Sequence, residues 1–528
     1  MIPCSVIIGA FITLNPGELV ETWGHLWNTQ LPQLILNTLT LVIGVAVGSF
    51  LLGTSLAWIV VMHDFPGKWW LDGALLLPMA IPGYVIGIVA LDHWDYSGTI
   101  PTALRSIELG FPDIRSSWAV IMAMSLVLYP YIYIAARTAF REQSQTYIDL
   151  AKTHGLSSFQ TYWQVGIRLG RPTIMAGVAL VVMETLADLG TVSIFAFDTM
   201  TTAIYETWFG LFQRQTAIQL CGAVMLFVFL LFYVERLTRR RSRHDQLSGK
   251  AKPITVTRLK GRVAWLATAY PFAIVAFAFV YPLVTLIVWN VQRLDQQTVR
   301  DYWNTTEQAF NSVSIALLAA VIIVAISIFI CYSRRILSQS RLVNTLTMLG
   351  VSGFVLPGTI IALGVMIPLV WLDNMLNMVS ERFFDRTLGL VITGSIAGLL
   401  IAHTIRFFAV GFYFTDAGLS KISPSMDNAG QALGASWGRI FRVVHLPLAR
   451  GSFLVGGLIV FIDVCKEMAA TLVIRPFGVD TLATKIWELS AESYWKDAAL
   501  PSLFIVLVML PAVILLIKFS ARTRNASA

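Results

Sequence analysis

The residues best placed to do chemistry in this sequence are charges set inside long apolar stretches. Glu184 and Asp188 are four apart, and so are Asp463 and Glu467, so each pair shares one helix face. Lys466 sits beside the second pair and Arg406 lies in the preceding apolar run. Ionisable groups at membrane depth are costly and are usually kept for function. Two uses fit the four acids. They could line an aqueous path and favour a cation. Equally, they could be gate or packing residues that pair internally, Glu467 with Lys466 or with Arg406. Glu184 and Glu467 are matched at an offset of 283. Arg137 stands 18 residues before Gly155 and Arg406 stands 28 before Gly434, so the two arginines are not strict counterparts. Other chemistries find few residues. Gly67-Lys68 and Gly249-Lys250 lack the upstream glycine and the following Ser/Thr of a phosphate-binding loop. Cys4, Cys221, Cys331 and Cys465 form no CxxC pair, no hydrolytic triad is visible, and no metal-ligand set can be assigned.

These charges sit in a chain of 528 residues that is 56% hydrophobic and 13% charged. Soluble domains carry roughly 25% charge, so the composition points to lipid as solvent. Eleven apolar runs reach the ~20 residues that cross a bilayer: 33–62, 71–91, 118–139, 172–197, 216–235, 265–289, 311–331, 347–371, 388–414, 452–474 and 500–518. Ile2 to Leu14 is apolar but too short to cross. The net charge of +8 would suit nucleic acid if it were spread over one soluble surface. Instead, ten basic residues fall between Glu235 and Val263, more follow 311–331, and others close the chain. Loops 15–32, 92–117 and 372–387 are acidic or mixed. Basic loops stay inside, which puts the 236–262 linker and the C-terminus in the cytosol.

The runs repeat. Leu36-Asn37-Thr38-Leu39 parallels Phe310-Asn311-Ser312-Val313, Pro82-Gly83 parallels Pro357-Gly358, and Asp198–Tyr205 parallels Asp480–Trp487, at offsets of 274, 275 and 282. Two halves, 1–235 and 263–528, are therefore joined by the basic linker 236–262. Both start on the cytosolic side, so they have parallel topology, with a pathway expected between them. Ile2-Pro3 aligns with Tyr281-Pro282, which has a long apolar lead. The repeat thus implies a first span cut short, by a start codon assigned too late or as a genuinely short anchor.

Each half also carries one long cytosolic segment. In the first it is Asp149-Leu150-Ala151-Lys152-Thr153-His154-Gly155, then Ile167; in the second, Asn428-Ala429-Gly430-Gln431-Ala432-Leu433-Gly434, then Leu446-Pro447. Both resemble the EAA loop of ATP-binding-cassette importer permeases: Glu-Ala-Ala, three residues, Gly, then a hydrophobic-Pro pair. Asp149 and Asn428 replace the Glu, Leu150 and Gly430 replace an Ala, and Arg168 replaces the first proline. Small residues around a glycine, with Phe159, Tyr162 and Trp163 or Ile440, Phe441 and Val444 behind them, suit a short surface helix that enters a partner's groove. Glu184–Val192, Lys466–Phe477 and Thr481–Thr484 are further similar to segments of fused ferric-iron importer permeases.

The resemblance runs from about 30 to 518. It implies an all-α integral membrane fold of two tandem six-helix permease halves of the type I importer kind, about twelve spans in all. It implies two cytosolic ATPase subunits meeting Asp149, Ala151, Gly155, Ile167, Asn428, Ala429, Gly434, Leu446 and Pro447. An external binding protein would deliver Fe(III), a hard cation suited to oxygen ligands. The chain itself would be a transport subunit and not an enzyme. It would bind no cofactor, leaving ATP to its partners, and would touch lipid but no nucleic acid. Related permeases carry thiamine, polyamines or phosphonates. An ion-coupled secondary transporter using Glu184 and Glu467 is the alternative of another class.

Overall fold

The computed structural model describes residues 5–9, 16–108, 110–240, 255–337, 340–351, 353 and 356–525. The N-terminal run 2–14, apart from 5–9, and linker residues 241–254 therefore lie outside the described residues. Among the described residues, nine helices are long and apolar enough to cross a membrane. They are Leu31–Met62, Ser117–Arg141, Ser158–Ala187, Gly261–Gln292, Val299–Ile336, Gly358–Phe384, Ile396–Ser420, Trp437–Cys465 and Ala499–Phe519. The two remaining expected runs take other forms. Run 71–91 becomes Lys68–Ala80 and Gly83–Arg105, bent by 85°, and run 216–235 lies inside the helix Arg214–Arg240, whose apolar stretch is the shorter Arg214–Leu230.

The bend has a local cause. Proline has no N–H and pushes the residue before it into extended backbone. Ile81 is extended and Pro82 opens the helix that follows. Run 347–371 breaks in the same way, into Arg341–Val351 and Gly358–Phe384, with Pro357 at the second start. Hydropathy sums across such breaks because it registers composition and not direction. Two other runs end early. Run 172–197 stops at Ala187 and 452–474 stops at Cys465, each followed by a short helix, Gly190–Ile194 or Ala469–Ile474.

The chain divides into two compact units. Of the described residues, one holds those within 14–294 together with Leu489–Ala499; the other holds those within 295–488 and 500–528, and residues 5–9. By packing, the helix Gly261–Gln292 thus belongs with the first half, although the repeat places it in the second. Its contacts explain why: Tyr270 Oη meets Ser55 Oγ at 2.8 Å, Tyr281 Oη meets His93 Nδ1 at 2.6 Å, and Thr268 donates to the Pro66 carbonyl.

The duplication is visible in matched contacts within each unit. Asn37 Nδ2 donates to the Asp198 carbonyl at 2.8 Å, and Asn311 Nδ2 to the Asp480 carbonyl at 3.1 Å. Thr38 Oγ1 accepts from Met200 N, as Ser312 Oγ does from Leu482 N. Glycines set the close approach of the long helices, as is usual where backbones meet in lipid. A Cβ at Gly53 would lie 2.8 Å from Ile132 Cβ. In the second half the small residue changes sides, and a Cβ at Gly411 would lie 3.0 Å from Ser327 Oγ. Both contacts obey offsets of 274 along the first long helix and 279 along its neighbour.

Candidate coupling hairpins and membrane breaks

Two sites emerge in each half, at opposite ends of one helix. The first is the helix–glycine–helix hairpin. Gln145–Thr153 is followed by Gly155 at φ +78 and a new helix at Ser158, and Pro424–Ala432 by Gly434 at φ +75 and a new helix at Trp437. The backbone closes identically: Leu156 N donates to the Ala151 carbonyl and Ala435 N to the Gly430 carbonyl, at 3.1 and 3.0 Å. This is the left-handed glycine stop of a helix, which an L side chain adopts only under strain. A Cβ at either glycine would meet nothing within 4 Å, so backbone conformation and not space selects the residue.

Each hairpin buries one face and shows the other. Gln145, Ile148 and Ala151 are buried, while Tyr147 and Leu150 are exposed. In the second hairpin Asp427 is buried, and Met426, Ala429 and Leu433 are exposed. Asp149 accepts from Gln145 Nε2 at 2.7 Å, and Gln145 Oε1 accepts from Thr255 N at 2.9 Å. Asn428 is exposed. Both hairpins run on through a π-helical turn, Tyr162–Ile167 or Phe441–His445, that carries Ile167 or leads into Leu446-Pro447. Such turns recur at functional sites.

The second hairpin is held by residues outside the loop motif. Arg335 Nε donates to Asp427 Oδ2 at 2.6 Å, and its other nitrogens donate to the Leu419 and Ile422 carbonyls. His445 Nε2 meets Asp427 Oδ1 at 2.7 Å. Burial works against the Asp427 charge, yet the bonds from Arg335 and His445 hold its carboxyl below the ordinary range. A lowered carboxyl pKa contributes stability that is present at neutral pH and is lost as pH falls through the lowered value.

The second site is the helix break. Asp188 directly follows the helix ending at Ala187, and its oxygens accept from Thr191 N, Val192 N and Thr191 Oγ1 at 2.8, 3.1 and 2.9 Å. Glu467 does the same for the next short helix, accepting from Ala470 N, Thr471 N and Thr471 Oγ1 at 2.8, 3.0 and 2.9 Å. The distance along the chain from the hairpin glycine to this acid is 33 residues in both halves. The structural partner of Glu467 is therefore Asp188, and that of Asp463 is Glu184, at an offset of 279. The sequence match of Glu184 to Glu467 is one helical turn out. It was drawn toward the Asp198 segment, beyond a loop that is three residues longer in the second half.

The ion pairs decide between the two partners open to Glu467. Lys466 Nζ turns back to Asp463 at 2.8 Å, and Glu467 pairs with Arg406. Arg406 corresponds to Val127 in the first half, so it has no twin there. Arg137 instead pairs with Asp72 at 2.9 Å, where Arg141 and Tyr133 also meet. The Pro-Gly breaks lie against these caps: a Cβ at Gly83 would be 2.5 Å from Thr191 Oγ1, and one at Gly358 would be 2.8 Å from Glu467 Oε1. Glu184 is half-buried one turn before Asp188.

The paired hairpins, repeated breaks and long apolar helices describe a membrane transport subunit. The profile of proteins described as "Binding-protein-dependent transport system inner membrane component" matches residues 49–244 and 355–522. The chain belongs to this family. As an inner membrane component of such a transport system, it is a multi-pass permease subunit. Over 497 residues, 94% of this chain and 91% of the relative, it is 24% identical to the Fe(3+)-transport system permease protein FbpB 2 of Haemophilus influenzae. Over 191 residues, 34% of this chain and 64% of the relative, it is 30% identical to a probable sulfate transport system permease protein cysT of Chlorokybus atmophyticus. It is also 26% identical over 182 residues to a putative molybdenum transport system permease protein YvgM of Bacillus subtilis, covering 33% of this chain and 80% of the relative.

Proposed function

We propose that this permease forms the translocation pathway of an ATP-driven importer for Fe(III). The observation that carries the reading is the pair of glycine hairpins, each 33 residues along the chain from an acid-capped break. At 1.5 Å per residue, the 30-residue helix Ser158–Ala187 between the first hairpin and its break is roughly 45 Å long. Two cytosolic ATPase subunits grip the exposed edges of Gln145–Thr153 and Pro424–Ala432, and their closure moves each hairpin as one body with its long helix. The 236–262 linker and the C-terminus face the cytosol. A loaded binding protein docks on outer segments 92–117, 198–215 and 475–499. Asp188, Asp463 and Glu467 act as gate residues, since their oxygens are already taken by backbone caps and internal ion pairs.

Alignment with the Fe(3+) relative over nearly the whole fused chain supports iron as cargo, against about a third of the chain for the sulfate and molybdenum relatives. Those shorter matches favour an oxyanion as the second reading. The test is the ligand of the binding protein that partners this chain. Tight binding of Fe(III) with no binding of sulfate or molybdate is the expected result. Binding of an oxyanion, or of thiamine, without Fe(III) overturns the cargo while leaving the importer reading intact.

A further inference from the structure

The two hairpins are carried on the same scaffold by joints of opposite chemistry. In the first half, Trp58 of the Leu31–Met62 helix packs against Gly166 in the π-helical turn, where a Cβ would be 2.5 Å from Trp58 Cζ3. Trp58 also packs edge-on against Phe140 and Tyr162, with centroids at 5.3 and 5.5 Å. Val61, one turn along, and Ile148, on the inner face of the hairpin helix, are both buried. Offsets of 274 and 279, fixed independently by the Asn37/Asn311 and Gly155/Gly434 pairs, carry these four positions onto Tyr332, His445, Arg335 and Asp427. There the tryptophan has shrunk to tyrosine and the glycine has grown to histidine, with the rings 5.6 Å apart. The two aliphatic residues have become an ion pair between a half-buried arginine and a buried aspartate. Side-chain volume and polarity have been exchanged across one joint as a set.

We propose that Tyr332, Arg335, Asp427 and His445 are positioning residues that fasten the second hairpin to its transmembrane helix, and that they are interchangeable as a set, but not singly, with Trp58, Val61, Ile148 and Gly166. The proposal rests on the coupling reading above. Its physical basis is the asymmetry of buried ion pairs. Removing one partner leaves an uncompensated charge, whereas replacing the pair with well-packed apolar residues is often neutral. Arg335 also holds two carbonyls at the end of Ile396–Ser420, so its loss frees three acceptors at once. Tyr332 Oη adds a 2.5 Å bond to the Trp437 carbonyl, which ties the helix to the start of the hairpin's second arm.

The experiment uses the complete transporter, this chain with its ATPase and binding-protein partners, in proteoliposomes. The readout is substrate taken up per ATP hydrolysed. A residue that merely helped folding would lower both rates together and leave this ratio unchanged. Arg335→Val and Asp427→Ile are each expected to lower it by at least about tenfold, because the hairpin no longer moves with its helix. The fourfold form Tyr332→Trp, Arg335→Val, Asp427→Ile, His445→Gly is expected to return to within about threefold of the wild type. If a single form fails to reach the membrane, accumulation replaces the ratio, and the fourfold form must accumulate like wild type. An unchanged ratio in the single forms, or a fourfold form no better than they are, overturns the proposal. Normal coupling by a Gly434→Val form would instead defeat the coupling reading itself.

Discussion

Gly434→Val abolishes substrate uptake while the protein remains in the membrane. The glycine turns the hairpin at φ +75, with nothing within 4 Å of a would-be Cβ, so a larger side chain meets no clash. What it meets is its own backbone. Left-handed geometry costs an L residue roughly 1–2 kcal/mol, and more for a β-branched one. That is small against the 5–15 kcal/mol typical of a folded domain, so the chain still folds and inserts. It is enough to open the turn, release the Ala435 N to Gly430 bond, and swing the exposed edge at Met426 and Leu433 away from a partner's groove. Gly434→Asn, which tolerates the same backbone, retains most uptake. Uptake assayed beside membrane-fraction protein checks both forms. Normal uptake by the valine form contradicts the role assigned to the hairpin.

Breaking the Arg406–Glu467 pair has the largest expected effect on stability. Glu467 is 5% exposed and Arg406 is 7% exposed, and the carboxylate also caps Ala470 and Thr471. Glu467→Gln leaves the guanidinium without a counter-charge inside an apolar unit, a loss of about 3–5 kcal/mol. Arg406→Met strands the acid to a similar degree. The double Arg406→Met, Glu467→Met form regains most of the loss, less about 1 kcal/mol for the abandoned cap. Asp188→Asn supplies the internal comparison. It sits at the same break, Val127 stands where the second half has Arg406, and an asparagine oxygen can still cap, so its cost is about 1 kcal/mol or less. Thermal unfolding of the four purified forms ranks them. A Glu467→Gln form as mild as Asp188→Asn would show that the pair is not stabilising the break.

Much of this architecture was legible because it rests on composition and glycine chemistry. The apolar runs became helices, Asn37 and Asn311 proved to be true counterparts, and both hairpin glycines took the left-handed turn that helix–Gly–helix demands. The corrections share a cause, which is that direction and register are invisible to hydropathy. Pro82 and Pro357 stand at helix starts inside runs that sum as continuous, and the first break turns the chain by 85°. The acids were paired one turn out because a longer loop before Asp480 shifts the offset after Glu467 and not before it. Asp427 went unnoticed because it stands one residue ahead of the loop motif and gains its meaning from Arg335, 92 residues away. In the glycine register Ile148 aligns with Asp427 and Gly166 with His445, and the joint is legible only there.

The most direct test of the account is substrate accumulation by proteoliposomes holding this chain, with ATP, the ATPase partner and the loaded binding protein each supplied or withheld. The account predicts accumulation only when all three are present, and none driven by an imposed ion gradient alone. Accumulation that follows such a gradient and continues without ATP would contradict it, and would make the chain an ion-coupled carrier.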